Sequence, residues 1–209
     1  KDKMFNQETN ACKAYQIGKD LLIQFVDTIV ESEVFGAVSI HGISGNEARL
    51  TEELGFSHIM ASDNWDALLN AELKRHYAGS DVTVETAVHR FVVDIEGWKV
   101  LLMHGHCGGL DKYCTQKSTQ SVLGESQADY GISGHIHDPL VTGKWARSAS
   151  LIGTEAFAGD GLNLSGKAAQ NVHWFAPGQH NCYVVDLQNP DPEVEPFEFF
   201  DYGGAFGNS

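Results

Sequence analysis

The sequence predicts an α/β protein, because amphipathic helical stripes alternate along the chain with short apolar runs that end in polar, glycine-containing loops. Three polar motifs each follow an apolar run: Gly45-Asn46-Glu47, His104-Gly105-His106 and Gly134-His135-Ile136-His137. Ligands of an open α/β sheet gather at the carboxyl ends of its strands. These motifs are therefore the candidate functional residues.

Two helices are predicted from apolar residues that recur at three- and four-residue spacing. The first runs from Ala11 to Val30 and carries its charged residues on the other faces. The second runs from Asn64 to Tyr77, with Asp63 as N-cap and Gly79 as its stop.

Strands are predicted from short apolar or alternating runs bounded by turn residues. They are Val34–Ile40, Phe91–Ile95, Trp98–Met103, Tyr130–Ser133, Leu140–Ala146 and Cys182–Leu187, with a turn at Glu96-Gly97. The stretch Gly153–Gln179 is predicted as loop and Gly203–Ser209 as a flexible tail. Because no shift in composition marks a boundary, residues 1–202 are predicted as one domain.

Composition restricts the class of partner. The chain has 28 acidic against 14 basic residues and a formal net charge of −14, which opposes nonspecific binding to nucleic acid. Nucleic acid is therefore expected only as a substrate, since bound cations would offset the acidity locally. No apolar run approaches the roughly 20 residues that span a bilayer, and Lys1–Asn10 is polar, so we expect no membrane partner and a cytoplasmic location. The four cysteines form no CxxC pair and are predicted to be reduced thiols.

Imidazole and amide donors delivered from strand ends are what a hydrolytic metal centre requires. An extended backbone through His135-Ile136-His137 would direct both imidazoles to one side, so that two rings reach one metal or two adjacent metals. The alternative is that these histidines are hydrogen-bonded at a surface turn.

The segment Gly45-Asn46-Glu47-Ala48-Arg49 and the two histidine motifs resemble, in order and spacing, the last three motifs of the calcineurin-like metallophosphoesterase superfamily. Within that superfamily, the sequence resembles bacteriophage members most. The resemblance runs from about Gln16 to Leu187. It implies an α/β/β/α sandwich that hydrolyses phosphomonoesters or phosphodiesters with two divalent ions, commonly manganese, iron or zinc. By this resemblance Asn46, His104 and His135 bind one metal, and His137 binds the other.

The sequence departs from that family in two places. The Asp-x-His and Gly-Asp-x-x-Asp motifs are absent, which implies a C-terminal part completed by a separate N-terminal half polypeptide that carries them; if phage-encoded, the pair would act in the host cytoplasm. Glu47 stands where the family has a histidine that assists the leaving group, a role that a carboxylate fills only with a raised pKa. Arg49 is the candidate to stabilise phosphoryl oxygens, and His41 or His106 is the alternative acid. The other interpretation of Glu47 and Arg49 is a solvated loop pair.

Two further hypotheses stay open at this point. One is a catalytically inactive metallophosphoesterase-like module retained for binding or structure. The other is a mononuclear zinc hydrolase that uses His104, His135 and His137 alone. His173 and His180 are placed in or next to the predicted loop, where substrate could be contacted, and packing or solvent exposure is their default interpretation.

Overall fold

A computed structural model describes residues 10–50, 63–106, 110, 115–153 and 166–187. The helices are α1 (Ala11–Glu31), α2 (Trp65–His76) and α3 (Gln116–Ser126). The strands are β1 (Val38–Ile43), β2 (Val82–Ala87), β3 (Arg90–Ile95), β4 (Trp98–Met103), β5 (Tyr130–Ser133), β6 (Leu140–Val141), β7 (Trp145–Arg147), β8 (Ala169–Ala176) and β9 (Gln179–Asp186). The protein is thus mixed α/β, as predicted.

The described residues divide into two compact units. The first comprises residues 10–42, 48–50 and 63–86, and the second comprises residues 43–47 together with the described residues from 87 onward. The predicted single domain over residues 1–202 stays a prediction, and the predicted tail Gly203–Ser209 lies outside the described residues.

In the first unit, α1 packs against α2 and the strand pair β1–β2. The core consists of Val26, Leu73, Tyr77, Val82 and Val84. The Tyr77 hydroxyl lies 2.9 Å from Asp27 Oδ1 and 3.1 Å from the Ile23 carbonyl oxygen, so it is shared between two acceptors on α1. This bond joins the two helices at the edge of the apolar core.

Three predictions in this unit need correction or extension. The N-cap of α2 is Asn64 and not Asp63, because the extended backbone of Asn64 lets its side chain accept the Asp66 amide at 2.7 Å. Strand β1 begins at Val38 and not at Val34, since its position is set by pairing with β2. Strand β2 was not predicted, although buried Val82 and Val84 alternate there with exposed residues.

The second unit contains a five-stranded sheet in the order β3-β4-β5-β7-β6. Strands β4, β5 and β7 are parallel, while β3 and β6 run antiparallel to their neighbours at the two edges. The predicted hairpin between β3 and β4 is confirmed, and both Glu96 and Gly97 have positive φ (52° and 83°), as its tight turn demands. The core consists of Leu101, Met103, Leu110, Val122, Leu123 and Trp145.

The predicted strand Leu140–Ala146 is wrong as a single element. It is an antiparallel hairpin of β6 and β7, because the Thr142 hydroxyl accepts the Trp145 amide at 2.9 Å and closes a turn. Helix α3 was not predicted because its polar sequence shows only a weak apolar stripe; the Thr115 side chain caps it by accepting the Ser118 amide.

The predicted loop Gly153–Gln179 is wrong over β8. Strands β8 and β9 form an antiparallel hairpin that turns at Pro177-Gly178, so β9 begins at Gln179 and not at Cys182. Cys12 and Cys182 are free thiols. Within the described ranges, no helix has the length and apolar character needed to cross a membrane.

Candidate metal site

Two predicted ligands emerge side by side from the central sheet. Because β4 and β5 are parallel and pair Met103 with Ser133, the residues that follow both strands leave the same edge. His104 Nε2 and His135 Nδ1 lie 3.2 Å apart. The Gly134 amide also donates to the His104 carbonyl at 3.0 Å, which ties the two loops together.

Asn46 joins these histidines within the second unit. Its Oδ1 lies 2.5 Å from His104 Nε2, and its Nδ2 donates to Glu47 Oε1 at 2.8 Å. Since a carboxylate only accepts, the Glu47 contact orients the amide with its oxygen toward His104. Asn46, His104 and His135 therefore form one connected cluster, which we call the histidine cluster.

The protonation state of His104 follows from its surroundings. The pKa of His104 is lowered from 6.5 to about 4, mainly by burial and then by the neighbouring His135 and His106. The negative charge of Glu47 opposes this shift. The imidazole is neutral at pH 7, and the tautomer with its proton on Nε2 is the one in which the Asn46 oxygen can accept that proton. Coordination of a cation at Nε2 would require that proton to move to Nδ1.

Two further histidines border the cluster. The ring of His106 lies with its centroid 5.5 Å from that of His104 and 6.1 Å from that of His135. His137 is near enough to contribute to the lowered pKa of His104. Its Nδ1 is buried and has no hydrogen-bond partner in the part of the chain that the structure describes. A buried nitrogen without a partner is a candidate ligand atom.

The backbone around these histidines differs from the prediction. His135 and His137 have positive φ values of 75° and 60°, so the expected extended backbone through His135-Ile136-His137 is wrong. Gly105, between His104 and His106, has a φ of 108° that L side chains rarely adopt. A Cβ at Gly105 would also lie 3.1 Å from the Ser133 Cβ, so this position needs glycine.

The geometry of the histidine cluster fits one cation better than two. Two nitrogen ligands about 2.0–2.1 Å from a tetrahedral ion lie roughly 3.3 Å apart, close to the separation of His104 Nε2 and His135 Nδ1. The Asn46 contact has the length of a hydrogen bond and would lengthen if an ion entered. Among the described residues, no three His, Cys, Asp or Glu side chains are arranged to hold a metal. The histidine cluster thus offers two imidazoles and one amide oxygen, with the buried Nδ1 of His137 as a further candidate donor beside it.

The predicted catalytic residues fall in different places. Glu47 is exposed, and its carboxylate binds the Asn46 amide. Arg49 belongs to the first unit, where its backbone bridges to Asn64. His41, also in the first unit, lies 3.4 Å from Glu85 through Nδ1. The roles assigned to these side chains stay predictions.

A second histidine pair lies in the β8–β9 hairpin, and its member His173 falls in the stretch that was predicted as loop. His173 Nδ1 is 3.0 Å from His180 Nε2, and His173 Nε2 is 3.7 Å from the Cys182 sulfur. Tyr130 covers the pair, with its ring centroid 4.2 Å from that of His180. Burial and then His180 lower the pKa of His173 to about 4, and burial raises the pKa of the Cys182 thiol. A neutral pair beside a protonated thiol is a packed polar network, without the thiolate that nucleophilic chemistry needs.

Fold and cluster together define a mixed α/β protein with imidazole donors at the carboxyl edge of a partly parallel sheet. No protein-family model matches the chain, and no curated protein matches it. Solved structures that are similar to it include Vps29 of Entamoeba histolytica complexed with Zn²⁺, at 17% identity and a TM-score of 0.36 over 52% of this chain and 66% of that one. Vps29 (Vacuolar Protein Sorting 29) of Cryptosporidium parvum has 13% identity and a TM-score of 0.36, over 73% of this chain and 97% of that one. Likeness at this level does not assign a family or an activity.

Proposed function

We propose that this chain is a metal-dependent phosphoric ester hydrolase in which Asn46, His104, His135 and His137 hold divalent metal. The observation that carries the proposal is the convergence of Asn46 Oδ1, His104 Nε2 and His135 Nδ1 within hydrogen-bond distance, although they come from three separate segments. Burial keeps His104 neutral at pH 7, which leaves a lone pair for coordination once its proton has moved. Such donors suit zinc, iron and manganese.

A bound divalent ion would supply Lewis-acid stabilisation of phosphoryl charge and a lowered pKa for water. The chain's own residues have separate tasks. The Asn46 amide is oriented by Glu47, so the carboxylate controls which amide atom faces the histidines. Glu47 is exposed and can approach a leaving group, and it would serve as general acid only when protonated.

We further propose that a second ion requires carboxylate ligands from a separate N-terminal half polypeptide with Asp-x-His and Gly-Asp-x-x-Asp motifs. Bridging two cations needs an anionic ligand, and the histidine cluster itself contains only neutral donors. Intact-mass analysis of the natively purified protein should then show a second chain of about 60 to 100 residues. A chain that binds two ions by itself would contradict this part of the proposal.

A metal-binding module without catalysis is the second candidate. One observation favours it: no aspartate belongs to the histidine cluster as the described residues form it. Such a module would hold an ion in the same place and would leave phosphate esters intact. Measuring binding and turnover on the same sample separates the two candidates.

The test uses the full chain, loaded with Zn²⁺ or Mn²⁺ and freed of excess ion. Metal content is measured by mass spectrometry, and hydrolysis with an aryl phosphate and an aryl phosphodiester. We expect about one ion per chain, lost in His104→Ala and retained in His173→Ala, a control that removes an equally half-buried histidine from the other pair. Equal metal content in wild type and His104→Ala would overturn the metal proposal, and bound metal without turnover would favour the module.

A further inference from the structure

The loop that carries His135 and His137 is held in an unfavourable backbone conformation. Both residues have φ in the left-handed region, which non-glycine residues rarely occupy. Each such residue costs free energy, so the surrounding contacts must offset this cost. Because the direction of each imidazole depends on its backbone, these contacts also decide where the ligand atoms point.

Three backbone groups around this loop are held by other backbone groups. The Gly134 amide donates to the His104 carbonyl at 3.0 Å, and the Ile136 amide donates to the Gly134 carbonyl at 3.1 Å. The Ser150 amide reaches the His137 carbonyl only at 3.4 Å, a weak bond. These contacts secure the beginning of the loop better than its end.

The end of the loop is held by a buried side chain, Arg147. Its Nε donates to the Asp138 carbonyl at 2.9 Å, directly after His137. Arg147 is the last residue of β7 and is 8% exposed, and β7 pairs it with Ser133, the last residue before the loop. A charged donor shielded from water makes a strong hydrogen bond, so this contact fixes the loop at the residue directly after His137, whose own backbone bond is weak.

The pairing of Arg147 supports a role in holding this loop. Its Nη2 lies 3.7 Å from the Asp138 carboxylate, which is itself more than half exposed. One residue thus engages both the carbonyl and the side chain of Asp138, and a lysine could not reproduce this forked geometry. The loop is also enclosed on another side, since a Cβ at Gly166 would lie 2.6 Å from the His137 carbonyl oxygen.

We propose that Arg147 is a positioning residue that holds the 134–138 loop in its left-handed conformation, so that His135 and His137 present their imidazoles to a cation. This inference rests on the proposed metal site for its consequence but not for its geometry. Residues that orient metal ligands typically change metal affinity by about 10- to 100-fold when they are replaced.

The test compares Arg147→Met with Trp145→Phe in the full chain. Methionine keeps much of the apolar volume and removes both donors. Trp145 lies on the same strand, is fully buried and donates to the Ser133 hydroxyl at 3.0 Å, so its variant lowers stability without touching Asp138. Two quantities are measured on each variant: zinc affinity by calorimetry, and the hydrogen exchange of the Ile136 and Ser150 amides without metal.

We expect Arg147→Met to weaken zinc binding about 10- to 100-fold, whereas Trp145→Phe changes it less than about threefold. The Ile136 and Ser150 amides should exchange faster in Arg147→Met than in Trp145→Phe, and Arg147→Lys should restore little of the difference. Exchange equal in both variants would overturn the inference whatever the metal result. If wild type binds no zinc while the two variants still differ in amide exchange, the metal site is refuted and the role of Arg147 in holding the loop is supported.

Discussion

Acidification is expected to destabilise the second unit through His173. This imidazole is half-buried between His180, Cys182 and Tyr130, and its pKa is lowered from 6.5 to about 4, mainly by burial. Because the folded-state pKa lies below the unfolded value, the unfolded chain binds the proton more readily. The free energy of unfolding is therefore unaffected by the protonation of His173 above about pH 6.5, and it falls as the pH drops from 6.5 toward 4.

The size of the effect follows from the size of the shift. A difference of 2.5 pKa units, from 6.5 to about 4, corresponds to about 3.4 kcal/mol at 1.36 kcal/mol per unit. Since the ring is partly in contact with water, screening reduces this energy. We expect the protonation of His173 to lower the free energy of unfolding by about 1 to 2 kcal/mol. Carboxylates titrate in the same range, so the contribution has to be isolated by a variant.

The assay is urea unfolding of wild type and His173→Gln, followed by tryptophan fluorescence at pH 7.5, 6, 5 and 4.5. Glutamine retains a donor and an acceptor but cannot be protonated. The free energy of unfolding of wild type should fall more steeply below pH 6.5 than that of His173→Gln, by about 1 to 2 kcal/mol in total. Parallel curves for the two proteins would refute the reasoning.

Three other predictions follow from single contacts. Gly105→Ala should lower the free energy of unfolding by about 1 to 3 kcal/mol, because alanine disfavours a φ of 108°, and urea unfolding measures this. Tyr77→Phe should cost about 0.5 to 1.5 kcal/mol through the lost bonds to α1, with an unchanged m-value; no loss would mean that this hydroxyl contributes nothing. If Glu47 is the general acid, Glu47→Gln should lower kcat for an aryl phosphate by about 10²- to 10⁴-fold, and an unchanged kcat would remove it from that role. Metal content should stay nearly constant, because the glutamine carbonyl can still accept the Asn46 amide.

Local signals in the sequence were sufficient for the elements with strong periodicity. Helix α1 and the β3–β4 hairpin were predicted nearly to the residue, because an apolar stripe and a Glu96-Gly97 turn are properties of neighbouring residues. Helix α3 and strand β8 were missed because tertiary packing stabilises them: α3 buries only Thr119, Val122 and Leu123, and β8 exposes Val172 and Trp174 on its outer face.

The convergence of His104 and His135 could be predicted because parallel neighbouring strands end at the same edge of a sheet. The backbone of the 134–138 loop could not, since its left-handed residues depend on a bond to Arg147 from another strand. The role of Arg147 had no signal in the motif itself. It becomes visible only when β7 is placed beside β5.

The most direct test of the account is X-ray absorption at the zinc edge on the full chain with one equivalent of zinc. We predict scattering from at least two imidazole nitrogens at about 2.0–2.1 Å, which disappears in the His104→Ala, His135→Ala double variant and persists in His173→Ala. A spectrum that is dominated by sulfur, or one that the double variant leaves unchanged, would contradict the claim that the histidine cluster is a metal site.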